Sequence, residues 1–201
     1  MILMKTQIEK SGMGFTLVEL LVVIAILAVL TTAVVLILNP AQLIAQGRDS
    51  TRISDLAALN SSLALYLADA SSPDLGTCTS TAGRATIGSG TSSTLPFVVA
   101  TTTWAGSSAT STVGTSGWVD VDFTSISAGS PLSKLPMDPV NSAVYFYAYA
   151  CNDTLKTYEI NANMESTKYS NGGGGDVEIN TKDGGDNNNW YEIGNDAGLN
   201  L

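Results

Sequence analysis

The sequence predicts an α+β fold: a long, kinked N-terminal helix packed on a C-terminal antiparallel sheet of about four strands. Three observations predict it. Residues 17–38 form an unbroken apolar run whose only charge is Glu19. Beyond it, Ile53, Leu56, Leu59, Leu63 and Tyr66 or Leu67 recur every three or four residues, the spacing of one helix face. Further on, apolar and polar residues alternate in short runs, the period of a half-buried strand.

The apolar run comes first. Its 22 residues would reach about 33 Å as a helix, enough to span a hydrocarbon core of about 30 Å. A secretory signal has a shorter apolar part and a small-residue cleavage site behind it, so the run reads as retained. Lys5 and Lys10 on one side balance Arg48 and Arg52 on the other, so charge does not orient it. The two cysteines beyond the run favour export of the C-terminal part. Glu19 reads either as an interfacial carboxylate at the helix start or as a charge awaiting a partner.

Asn39-Pro40 follows. Proline removes one helical hydrogen bond and crowds the carbonyl of Leu36. Because the helical spacing resumes, a kink at Pro40 is expected, with helix continuing to about residue 68. Arg48, Asp49, Arg52 and Asp55 are read onto the other faces of this helix, where they can pair locally.

Composition then shifts. Of the 41 residues in 77–117, 20 are Ser or Thr and only Arg84 is charged. This reads as a polar β surface with short strands, 95–103 being the best candidate. Strands are also expected at 118–123, 143–151 and 156–161. Asn152-Asp153-Thr154 makes a hairpin of the last two. Tyr145, Tyr147 and Tyr149 fall on one face of that hairpin; Val144, Phe146 and Ala148 fall on the other. From Gly172 onward the chain is acidic and glycine-rich. It reads as a solvated, flexible loop, but Asp176, Asp183 and Asp186 are hard oxygen donors of the kind calcium takes.

Cys78 and Cys151 are the chain's two cysteines. Bridged, they would close a loop of about 74 residues and stabilise by about 4 kcal/mol on the chain-entropy model. Two separate thiols are the alternative.

Several functions are excluded. With no histidine, no catalytic triad or metal site can use imidazole. A net charge of -9 argues against nucleic-acid binding as a main role. No nucleophile or metal motif stands out, so no enzymatic activity is expected. Asp120 and Asp122 are a carboxylate pair, but they sit two apart on one face of an alternating run. A membrane-anchored enzyme or binding protein is the remote alternative.

Met13-Gly14-Phe15-Thr16-Leu17-Val18-Glu19-Leu20 resembles the processing site of type IV prepilins: a short basic leader ending in Gly, then Phe-Thr-Leu-x-Glu opening a long apolar helix. The resemblance implies a type IV pilin-like fold with three parts: a leader 1–14 that is removed, a helix 15–69 and a head 70–201. It implies a prepilin peptidase cutting between Gly14 and Phe15, and N-methylation of Phe15. The helix would hold the subunit in the cytoplasmic membrane, then pack in a filament at the cell surface through the pilus assembly machinery. Glu19 would pair with the Phe15 ammonium of a neighbouring copy. The block Leu135-Pro136-Met137-Asp138-Pro139, followed by Tyr145, Tyr147 and Tyr158-Glu159-Ile160, is similar to the C-terminal sheet of type II secretion pseudopilins and some pilins. It departs from the pseudopilin pattern in having Val140-Asn141 where Trp-Gly is expected. Calcium sites in major pseudopilins lie near the acidic tail. A homo-oligomeric surface filament is therefore the expected function, with a pseudopilin or minor pilin of a secretion or DNA-uptake system as the alternative.

Overall fold

A computed structural model describes residues 14–76, 84–85, 97, 110–142, 144–173 and 177–201. Pro40 and Ala41 mark the boundary between two compact units.

The first unit contains α1, Leu17–Leu38. It is apolar on every side, and its large apolar side chains from Leu17 to Leu38 that are described are exposed. An evenly apolar helix belongs in a membrane or in the middle of an assembly. Thr31 and Thr32 keep their hydroxyls satisfied by donating to the carbonyls of Leu27 (2.7 Å) and Ala28 (2.9 Å).

The expected kink at Pro40 is a break. The helix ends in Asn39, which takes the left-handed conformation (φ 42°). Asn is one of the few residues that tolerate it. Pro40 then opens a new helix, α2, Pro40–Asp69. At a first helical position its missing N–H costs nothing, since that group has no partner there anyway.

In the second unit, α2 buries Ala45, Asp49, Arg52, Leu56, Leu59, Ser62, Leu63 and Tyr66, one stripe of three- and four-residue steps. This stripe meets an antiparallel sheet with strand order β1-β2-β3-β4. The strands are β1 (Arg84–Ala85), β2 (Tyr147–Asn152), β3 (Thr157–Ala162) and β4 (Tyr191–Gly194). Tyr147, Tyr149, Tyr158 and Ile160 face the helix stripe together with Trp118, Val121 and Phe123. Two tyrosine hydroxyls bond back to α2: Tyr147 donates to Asp55 (2.8 Å) and Tyr158 to the Asn60 side chain (2.7 Å). The other sheet face carries Phe146, Ala148 and Ala150 against Phe97 and Trp190.

The hairpin and its two faces follow the alternation. Its edges shift: β2 begins at Tyr147, and the turn is 153–156, held by the side-chain Oδ1 of Asn152 accepting from the N–H groups of Thr154 and Leu155. The expected strand at 118–123 does not form. Trp118, Val119, Val121 and Phe123 are buried, but no neighbouring strand pairs with them among the described residues. The segment ends in a short 3-10 turn, Phe123–Ser125, capped by Asp122. Alternation reports burial on one side; only a ladder partner makes a strand. Apart from Phe97, the candidate strand at 95–103 lies outside the described residues. The acidic tail is not simply a solvated loop: it supplies β4 and buries Trp190, Tyr191 and Glu192.

Candidate functional site

The N-terminal motif sits at the first turn of α1. Thr16 is the N-cap, and its hydroxyl oxygen accepts from the Glu19 N–H at 3.2 Å. Glu19 reaches back, and its Oε2 accepts from the Thr16 N–H and hydroxyl, both at 2.8 Å. This reciprocal capping box satisfies backbone donors that a helix start leaves open. It also fixes the one carboxylate of the apolar run beside Phe15, which is exposed, as Glu19 is. Oε1 of Glu19 takes no hydrogen bond among the described residues. Gly14 lies just ahead with open space around it. The motif residues thus converge at one helix end.

A second polar centre was not foreseen. Arg52 is fully buried, and its guanidinium meets three carboxylates. Nε and Nη2 donate to the two oxygens of Asp138 (2.6 and 3.0 Å), and Nη1 donates to Asp49 (2.7 Å). Glu165 stands 3.5 Å from Nη1 and is held mainly by Arg48. The ring of Tyr145 covers the guanidinium carbon at 5.1 Å. Asp138 also accepts the N–H groups of Val140 and Asn141. Asp49 accepts those of Glu165 (2.9 Å) and Ser166 (2.8 Å). A buried charge persists only when paired and hydrogen-bonded in this way. The expected local pairing of Asp49 with Arg52 forms, but not on a separate face: both are buried on the stripe and also tie α2 to two distant loops. The signal was present in the sequence, because both fall on the same helix stripe as Leu56, Leu59 and Leu63. The bidentate pair holds the Asp138-Pro139 bend against α2.

At the far end, the tail gathers carboxyls on the outer sheet face. Glu159 on β3 and Glu192 on β4 are buried. Burial raises both well above the ordinary glutamate range, and their carboxyls interact with each other. Glu192 Oε2 accepts from the Asn187 N–H (2.9 Å), and the Leu201 N–H donates to Glu159 (3.0 Å). Gly185 is needed there: a Cβ would stand 1.9 Å from the Glu192 carboxylate. Asp183 accepts from the N–H groups of Gly185 (3.1 Å) and Glu192 (2.8 Å), and Asp186 is exposed. Asp176 lies outside the described residues. Among the described residues, no three acidic or cysteine side chains form a metal-holding group.

Of the cysteines, Cys151 is buried on β2, with its sulfur 3.2 Å from the Leu75 carbonyl oxygen. Cys78 lies outside the described residues.

Residues 14–35 match the prokaryotic N-terminal methylation motif, the signature of type IV prepilins and pseudopilins. The match covers the capping box and almost all of α1. Neither a comparison with curated proteins nor one with solved structures returned a match. The chain thus carries the mark of a pilin- or pseudopilin-like precursor, which implies processing by a prepilin peptidase and entry into a pilus-type system. The apolar α1, with a 19-residue span at Leu17–Val35, fits membrane insertion before assembly.

Proposed function

We propose that this chain is a structural subunit of a type IV pilus-like surface filament. The observation that carries the reading is α1: apolar all round, exposed along its length, and opened by a capped Glu19 just behind the Gly14/Phe15 cut. Cleavage there frees the Phe15 amine, and methylation leaves it charged. Glu19 of one copy pairs with the Phe15 ammonium of the next. Such a contact joins two different surfaces, and it repeats without closing, so it builds a helical filament. The heads face water and the α1 helices pack in the centre. The subunit sits in the cytoplasmic membrane before assembly, and the filament stands on the cell surface.

The Asp138-Pro139 bend, buried against Arg52, supports a second reading, a pseudopilin or minor pilin, because it belongs to the block that resembles pseudopilins. Mass spectrometry on filaments sheared from intact cells separates the two. Abundant peptide beginning at methylated Phe15 is expected. The same peptide confined to the membrane fraction favours the second reading, and a peptide still carrying residues 1–14 overturns both. Calcium at the loop of Asp183 and Asp186, with Asp176, is a separate proposal supported by their oxygen donors. A rise in melting temperature on adding millimolar calcium is expected, and an unchanged melt removes it.

A further inference from the structure

We propose that residues 163–173 form a releasable strap tying the first turns of α2 to the head, with Asp49 as its positioning residue, and that the strap sets how readily that end of α2 parts from the head when α1 is pulled. The pulling role rests on the filament reading above; the strap itself does not.

Apolar side chains anchor the strap at two points. Met164 is buried in the main core, and Tyr169 packs partly against it. Between them, Glu165, Ser166, Thr167 and Lys168 bury no apolar side chain. That stretch is held by polar contacts to α2. Asp49 takes the N–H groups of Glu165 and Ser166. Gln42 Oε1 takes the N–H and hydroxyl of Thr167 (3.0 and 3.1 Å). The Arg48 guanidinium holds the Glu165 carboxylate through Nε (2.7 Å) and Nη2.

The outer contacts are open to water: Thr167 is exposed, and Gln42, Arg48 and Glu165 are half-buried. Exposed ion pairs and hydrogen bonds exchange for water at little net cost. Segments with few buried apolar contacts open locally before the whole fold does. The closed strap also carries a penalty. Ser166 is fully buried, and its hydroxyl oxygen has no hydrogen-bond partner among the described residues, a cost that opening relieves. The segment folds back at Gly172 (φ 76°) and Gly173. A Cβ on Gly173 would lie 1.6 Å from the Thr167 carbonyl oxygen, so only glycine permits this closed turn.

Asp49 decides the attachment because it belongs to both sides. One of its oxygens receives the buried Arg52 and the Glu165 N–H; the other receives the Ser166 N–H. Gln42, Arg48, Asp49 and Arg52 are the α2 residues nearest α1 in the chain that bond to the rest of the head. The small Ala45 aside, tension passed down the backbone from α1 therefore reaches these bonds before the large apolar side chains of the stripe, from Ile53 onward.

Amide hydrogen exchange on the full-length chain in detergent micelles tests the strap. The double variant Gln42→Ala/Arg48→Ala removes only the outer contacts. It is expected to speed exchange at residues 165–167 at least tenfold and to leave β2 and β3 amides within twofold of wild type. Asp49→Asn is expected to speed it further. Unchanged exchange at 165–167 in the double variant overturns the strap, as does an equal rise in β2 and β3. The pulling role is read separately, from the force at which filaments of the double variant lengthen. A lower force than wild type is expected. An equal force with a released strap overturns the pulling role, and failure of the wild-type chain to enter filaments overturns it while leaving the exchange result standing.

Discussion

At the residue scale, two charged groups dominate, and their surroundings set opposite demands. Glu19 stands on an exposed apolar helix and, among the described residues, is held by Thr16 alone. In the filament reading its remaining bonding capacity goes to a neighbour. Glu19→Ala is expected to be cleaved normally, because the cut lies at Gly14 and Phe15, but to give few or disordered filaments. Electron microscopy of sheared fractions checks this, and normal filaments would remove the pairing idea. Arg52, by contrast, is paired within its own subunit. Truncation to Leu would leave Asp49 and Asp138 buried without their partner. Breaking a buried pair costs about 3–5 kcal/mol, so Arg52→Leu should lower the unfolding free energy by about that amount. Arg48→Ala, at a half-buried pair, should cost less than about 1 kcal/mol. Urea denaturation of both variants decides; equal losses would mean that Arg52 is not the centre of the network.

At the element scale, the informative contrast is between α1 and α2. Both are helices, yet α1 buries none of its described side chains and α2 has a buried stripe. The break between them comes from Asn39 in the left-handed conformation, which lets Pro40 start a helix instead of distorting one. The Cys78–Cys151 bridge belongs at this scale as well, because it would pin the segment after α2 to the end of β2. Leu75, three residues before Cys78, already lies against Cys151 and Tyr149 through its carbonyl oxygen. Reduction is expected to lower the head's melting temperature, consistent with about 4 kcal/mol for a loop of that length. A melt unchanged by reductant would count against the bridge.

At the scale of the whole molecule, the carboxyls set a stability that depends on pH in both directions. Hydrogen bonds from Ser127 hold Asp69 low, and hydrogen bonds from the Leu75 N–H and Lys156 hold Asp153 low. The Arg48 guanidinium holds Glu165 low. A group lowered in the fold contributes stability above its unfolded pKa and loses it as pH falls through the folded value. Burial raises Glu159, Glu192 and Asp55. Their contribution is complete below the unfolded value and disappears as pH rises through the folded one. The head should therefore be most stable in mild acid and weaken on both sides. Thermal melts with chelator present at pH 3, 5, 7 and 9 check this. A melting temperature that climbs steadily from pH 5 to 9 would contradict it, and Glu192→Gln should flatten the alkaline decline.

Periodicity and the N-terminal motif determined much of this protein without tertiary information. The apolar run, the α2 stripe, the two faces of the hairpin and the Gly14/Phe15/Glu19 motif are all local patterns, and local patterns survive in one dimension. What the tertiary structure decided is non-local. The alternation at 118–123 is real burial, but a strand needs a ladder partner, and none forms there among the described residues. Tyr191–Gly194 is a strand because β3 offers it an edge, although its acidic surroundings look like loop. Arg52 and Asp49 read only as a local pair because helix spacing shows only neighbours within α2. Their decisive partners, Asp138, Glu165 and Ser166, lie 86 to 117 positions away in the chain. A charge enters a core only when such distant partners arrive with it, and that arrival is a property of the fold.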